Sequence, residues 1–200
     1  MELWKKVFIK TVIPAYKINA NQPYHNIHHM LYVKDQLEKV PHLYDKEILL
    51  AAAIVHDLGH SGGKHPDSVN ITRAQTLIQK IPYLSAKIRN SLCKLVGYTQ
   101  FPHVQKKDEI PITGRLLRDA DISMCFHPEY FRNTFLPLAE EMNIQMTPEA
   151  LITFLEGNQK FIENYEWQSE WGESLWDDNQ AQFYFNIYST LGLLNEYNMP

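Results

Sequence analysis

Residues 49–63, LLAAAIVHDLGHSGG, constrain this chain more than any other stretch. Leu49 to Val55 is an unbroken apolar run. It leads straight into His56-Asp57, and His60 and a Ser61-Gly62-Gly63 turn follow. Imidazole and carboxylate groups beside a buried run are costly unless partners satisfy them. The rest of the chain has to supply those partners.

Composition narrows the classes. The 200 residues fit one domain, and a 44% hydrophobic content is enough for a sizeable core. The net charge of −4 argues against a nucleic-acid footprint, which is normally basic and clustered. Cys93 and Cys125 are too few for a disulfide framework and read as buried thiols. The N-terminal apolar run is broken by Lys10 and Pro14 and lacks a small-residue cleavage site, so it is a poor signal peptide. No uncharged run is long enough to span a membrane. These features predict a soluble, cytoplasmic protein.

Helical periodicity dominates. Leu3 to Asn19 carries an amphipathic pattern with a bend expected at Pro14. Asn26 is placed to cap the next helix, with His25 in its lead-in and His29 in its first turn. Asp45 is expected to cap the helix that runs to about His56, and Asp67 the one that stops at Pro82. Further helices are predicted over Leu84 to Thr99, Ile112 to Phe126 and Pro128 to about Met142. Another runs from Pro148, behind a Thr147 cap, to Tyr165. Glu166 to Asp178 holds Trp167, Trp171 and Trp176 without a clean period, and a last helix fits Asn179 to Tyr197. The tryptophans read as packing for a C-terminal segment. No period-two alternation is long enough for a strand. The expectation is an all-α, compact single-domain bundle of eight or nine helices. A site core lies at about 24–126, and helices over 128–200 complete the pocket.

Histidines and acids recur at helix-compatible positions: His25 and His29, four apart, then His56-Asp57, and Asp119-Ala120-Asp121. Divalent cations take such His/Asp sets. Neighbouring residues on a regular helix diverge by about 100°. His56 and Asp57 can therefore share an ion only where several helices cross or where their own helix ends.

The order H…HD…D, here His29, His56-Asp57 and Asp121, resembles the HD superfamily of metal-dependent phosphohydrolases. Tyr24-His25-Asn26-Ile27-His28-His29 and the stretch Ala52 to His60 are similar to motifs of 3′,5′-cyclic nucleotide phosphodiesterase catalytic domains. Ala120-Asp121-Ile122-Ser123 favours Asp121 over Asp119. The resemblance implies His29, His56, Asp57 and Asp121 as ligands of a first divalent metal (Mn, Mg, Zn or Fe). Asp57 would bridge to a second metal, and a water between the ions would attack phosphorus. It implies His25 as general acid and His60 as a contact to phosphate or metal-bound water. The nucleotide or phosphoester substrate would also meet Tyr24, and Gln159 with Phe161 would clamp its base, although that pair is one residue short of the family spacing. His103 is a candidate for a further ligand or substrate contact. His42 reads as surface, and His65 and His127 as loop residues. Alternatives are a nucleotide phosphomonoesterase with the same metals, a di-iron oxygenase, and a non-catalytic nucleotide sensor. The sequence leaves the oligomeric state open.

Overall fold

A computed structural model describes residues 1–19, 22–41 and 45–197. The described residues form helices and connections, with no strand. The chain opens with α1 (Leu3–Val7), a π-helical turn (Phe8–Val12) and α2 (Ile13–Asn19). Then come α3 (Ile27–Glu38), α4 (Lys46–Val55), α5 (Asp67–Gln79), α6 (Ala86–Tyr98) and α7 (Ile112–Ile122). A second π turn (Phe131–Phe135) leads into α8 (Leu136–Glu141), followed by α9 (Pro148–Glu163) and α10 (Glu170–Tyr197). The all-α architecture is the one the periodicity predicts.

The two π turns share a cause. Each ends two residues before a proline, Pro14 in α2 and Pro137 in α8. A helical proline has no N–H for the carbonyl four residues back, and its ring crowds that carbonyl. The preceding turn widens to relieve the clash. The bend expected at Pro14 is therefore expressed one turn upstream of it.

Side chains set several boundaries. The Asn26 carboxamide accepts from the backbone N–H of His28 (2.8 Å) and His29 (3.3 Å) and so starts α3. Ser85 and Thr147 cap α6 and α9 in the same way. Two expected caps differ. Asp45 precedes α4 but is left-handed (φ 61°), and its side chain makes no cap bond. Asp67 lies inside α5, and its carboxylate instead accepts from the Phe101 N–H at 2.6 Å, tying down the loop after α6.

α10 starts nine residues earlier than the sequence suggests, and the reason is tertiary. The Ser169 hydroxyl accepts from the Gly172 N–H and donates to Asp119 Oδ2, while the Gln168 N–H donates to Asp119 Oδ1. A carboxylate from α7 thus organises the first turn of α10. Arg118 beside it is buried too, donating to the carbonyls of Tyr98 and Gln105 and to Gln168 Oε1. Arg118 and Asp119 are both interior.

α4 is the centre of the packing. Every residue from Leu49 to Val55 is buried, within a cluster that includes Val33 and Leu37 of α3, Leu92 and Val96 of α6, and Leu116 and Leu117 of α7. A helix apolar on all sides needs such enclosure. A second cluster joins Cys125 and Phe135 to α9 and α10, and it takes in Trp167, stacked on Phe126 and Trp176. Trp171 instead packs against the first cluster. The tryptophans are packing residues.

The Asp119 anchor makes a contrast between two glycines of α10. A Cβ on Gly172 would lie 2.3 Å from Asp119 Oδ2, whereas one on Gly192 meets nothing within 4 Å. Gly172→Ala should cost about 1–3 kcal/mol by overpacking. Gly192→Ala should gain up to about 1 kcal/mol from helix propensity. Thermal denaturation of both variants checks this, with midpoints expected to move in opposite directions.

Candidate metal centre and adjoining cavity

Three helices deliver four donor groups to one point. The Asn26 cap sets His29 into the first turn of α3, where it is buried while His28 is exposed. α4 ends at Val55, so His56 and Asp57 sit where regular helical geometry is lost. The divergence of adjacent side chains is thereby relieved. α7 brings Asp121. Positions two apart on a helix point nearly opposite ways, so Asp119 serves α10 while Asp121 faces the histidines.

The spacing fits a cation. His29 Nε2 lies 2.9 Å from Asp121 Oδ1 and 3.4 Å from Asp57 Oδ2. His56 Nε2 lies 3.0 Å from Asp57 Oδ2, 3.3 Å from Asp121 Oδ1 and 3.3 Å from His29 Nε2. Donors about 2.1 Å from one metal ion stand roughly 3.0–3.4 Å apart. His56 Nδ1 donates to the Ala53 carbonyl at 2.8 Å, which turns the lone pair of Nε2 toward the cluster. Asp57 Oδ2 is buried without a hydrogen-bond partner, as an oxygen reserved for a metal would be. Burial pushes the His56 imidazole down, but Asp57 and Asp121 push it further up. Burial raises both carboxyls, but His56 above all holds them well below the usual range. Carboxylates this close call for positive charge between them, and a divalent cation held there would supply it.

Beside this set stands a second group. The Glu141 carboxylate, at the end of α8, accepts from the backbone N–H of Tyr24 (3.0 Å) and His25 (3.1 Å) and pairs with His25 Nδ1. The His60 ring stacks on His25 with centroids 3.6 Å apart. The Gly62 N–H donates to His60 Nδ1, and Asn70 Nδ2 lies 3.0 Å from its Nε2. Gly62 has φ 69°, and a Cβ there would fall 2.6 Å from Gln22 Oε1 and 2.8 Å from Glu141 Cγ. The glycine turn lets the loop close over this carboxylate. His25, His60 and Glu141 also have the spacing of a cation site. Metal bound there would displace the His25–Glu141 pair.

Both groups open into a cavity of roughly 460 Å³. Its polar end holds Tyr24, His25, Asp57, His60, Asp121 and Glu141. Ile122, Phe161 and Ile162 add apolar lining, and Asn158, Asp67, Asn70, Thr99 and Thr134 line it too. Phe161 lines the cavity as expected. Gln159 does not: it bonds to Glu163 along the outside of α9. The preceding residue faces inward because α9 turns about 100° per residue. His103 lines a neighbouring cavity beyond Phe101 and Phe161, away from the donor set. His65 is exposed at the rim, His127 accepts from the Glu129 N–H in its loop, and His42 lies outside the described residues. Of the three histidines between Asp57 and Asp121, then, His60 alone sits against the polar end, where a di-iron centre would need two. Sequence reasoning missed Glu141, Asn70 and Asn158. None belongs to a local pattern, and each is recognised only by what it faces.

Metal should stabilise the fold. Loading stripped protein with manganese at about 100 times its dissociation constant should add about 2.7 kcal/mol. A His56→Ala/Asp57→Ala double variant should keep its helical circular dichroism, retain no metal and show no manganese-dependent rise in melting temperature.

Comparison with known families agrees with this geometry. Residues 26–123 match the HD domain model, a span that contains His29, His56, Asp57 and Asp121. No curated protein and no solved structure matches the chain. That segment is an HD domain, the domain that characterises a superfamily of metal-dependent phosphohydrolases.

Proposed function

We propose that this protein hydrolyses a phosphodiester of a nucleotide, with a 3′,5′-cyclic nucleotide as the first substrate to test. The observation that carries the reading is His25, ion-paired to Glu141 on the wall of the cavity that also holds Asp57 and Asp121. A phosphoester needs charge neutralised at phosphorus, an activated nucleophile and a proton for the leaving oxygen.

A divalent cation bound by His29, His56, Asp57 and Asp121 supplies charge neutralisation and lowers the pKa of water. The chain's own residues do the rest. Burial pulls the His25 imidazole down, yet Asp57 and then Glu141 outweigh it, and its pKa is raised above the ordinary value. The raised pKa favours the protonated form that a general acid needs. Glu141 takes Nδ1, leaving Nε2 to hand the proton to the departing oxygen. His60, packed flat on His25, limits the swing of that ring. Phe161 and Ile162 form an apolar wall for a nucleoside. The outward turn of Gln159 removes a contact expected of a base-selective phosphodiesterase, and a nucleotide phosphomonoesterase would use the same polar end.

Manganese-loaded protein tested on a 3′,5′-cyclic nucleotide, a nucleoside 5′-monophosphate and bis(p-nitrophenyl) phosphate separates the readings. Turnover of the diesters supports the proposal. Turnover of the monophosphate alone selects the phosphomonoesterase, and turnover of none selects a nucleotide-binding sensor.

The acid makes a signed prediction. Activity should fall as pH rises through the His25 pKa, because the acid must carry its proton. Glu141→Gln removes the partner charge, and the alkaline limb of the kcat/KM profile should move to lower pH. An unmoved limb would assign the proton to another group.

A further inference from the structure

A second cavity, of roughly 810 Å³, adjoins the first and shares Phe101 and Phe161 with it. The two rings meet edge to face, 5.3 Å between centroids, and are 46% and 36% exposed. The boundary is therefore an apolar saddle open to a ligand. Asp67, which lines the first cavity, holds one side of the saddle through the Phe101 N–H at 2.6 Å.

The two cavities differ in charge. Asp57, Asp67, Asp121 and Glu141 line the first, and among the described residues no lysine or arginine does. Lys106, Lys107 and Arg118 line the second, against Asp108 and Glu166. Lys107 pairs with Glu166 at 3.1 Å, with Glu173 behind it at 4.0 Å. Asp108 offsets one of the other two cations, so the lining keeps one positive charge. Arg118 is buried, and its acceptors, the carbonyls of Tyr98 and Gln105 and Gln168 Oε1, are all neutral. Asp119 beside it is taken up by the Gln168 N–H and the Ser169 hydroxyl. The guanidinium thus adds its field to that of Lys106 at the rim.

His103 contributes a lone pair. Its Nδ1–H donates to the Gln100 carbonyl at 3.1 Å, which leaves Nε2 as an acceptor. Burial and then Arg118 lower its pKa, and this favours the neutral ring. Nε2 is buried with no hydrogen-bond partner in a ring that lines the cavity. Buried polar atoms without partners are rare.

Resting on the phosphodiesterase reading above, we infer that the second cavity is a subsite for the far half of a linear phosphodiester that lies across the Phe101–Phe161 saddle, with a terminal anionic group at Lys106 and Arg118 and a hydroxyl or N–H donating to His103 Nε2. The scissile phosphate stays at the polar end of the first cavity. A second anion is disfavoured among the four carboxylates there and favoured beyond the saddle. A linear dinucleotide ending in a phosphate has this chemistry. A 3′,5′-cyclic nucleotide occupies the first cavity alone.

Manganese-loaded protein tests this with adenylyl-3′,5′-adenosine and the same dinucleotide bearing a 5′-terminal or a 3′-terminal phosphate. One of the phosphorylated forms should have a KM about tenfold below that of the unphosphorylated one, the scale of a hydrogen bond to a charged group. Equal KM values overturn the inference. Lys106→Glu should erase that preference and Lys106→Arg should keep it; a preference that survives Lys106→Glu overturns the anion subsite. His103→Ala should raise KM for the dinucleotides more than for bis(p-nitrophenyl) phosphate, and equal losses overturn its role. The favoured dinucleotide should inhibit hydrolysis of bis(p-nitrophenyl) phosphate competitively. Noncompetitive inhibition marks a separate effector site and overturns the spanning ligand. If no ester is cleaved, the catalytic reading fails, and calorimetric affinities of the same dinucleotides for the parent and Lys106→Glu proteins decide the subsite by the same difference.

Discussion

Two carboxylates and two imidazoles meet at the end of a helix enclosed by the core. α4 is buried from Leu49 to Val55, so His56 and Asp57 are held by the packing of the whole first cluster. Like-charged carboxylates brought this close repel unless positive charge lies between them. α3 and α7 each bring one more donor, His29 or Asp121, within about 3.4 Å of this pair. The core and the site are one construction: the apolar run provides rigidity, and the polar end uses it.

α7 carries this construction to the C-terminal helices. Its opposite faces hold two aspartates with different work. Asp121 meets the histidines. Asp119, buried among Ser169, Gln168 and the start of α10, has its pKa raised to about 6, because burial outweighs the hydrogen bonds that favour its ionised form. One helix therefore ties a ligand-bearing face to the segment that closes the far side of the molecule. Residues of α8 and α9 reach the cavity from that side, as Glu141 and Asn158 show.

The cavity consequently has two ends of different origin. The HD segment supplies His29, His56, Asp57 and Asp121, and His25 lies one residue before it. The later helices supply Glu141, Asn158, Phe161 and Ile162 to the cavity lining.

Much of this was legible in the chain. The apolar run, the doublet at its end, the Asn26 and Thr147 caps and the helical period needed only local chemistry, because capping and amphipathicity act over a few residues. The order of His29, His56-Asp57 and Asp121 pointed to a cation without any coordinates. Other features had no local signature. Asp45 and Asp67 looked like caps, but one is left-handed and the other is drawn to the Phe101 N–H. The start of α10 depends on a carboxylate some 50 residues earlier. Whether Asn158 or Gln159 faces the cavity turns on the rotation of α9 against the body, which a one-residue difference reverses. The sequence by itself determined which residues could hold a metal and which helices would carry them. Only the tertiary structure decided that Glu141 pairs with His25 and that Asn158 rather than Gln159 lines the cavity, because both are set by packing between distant segments.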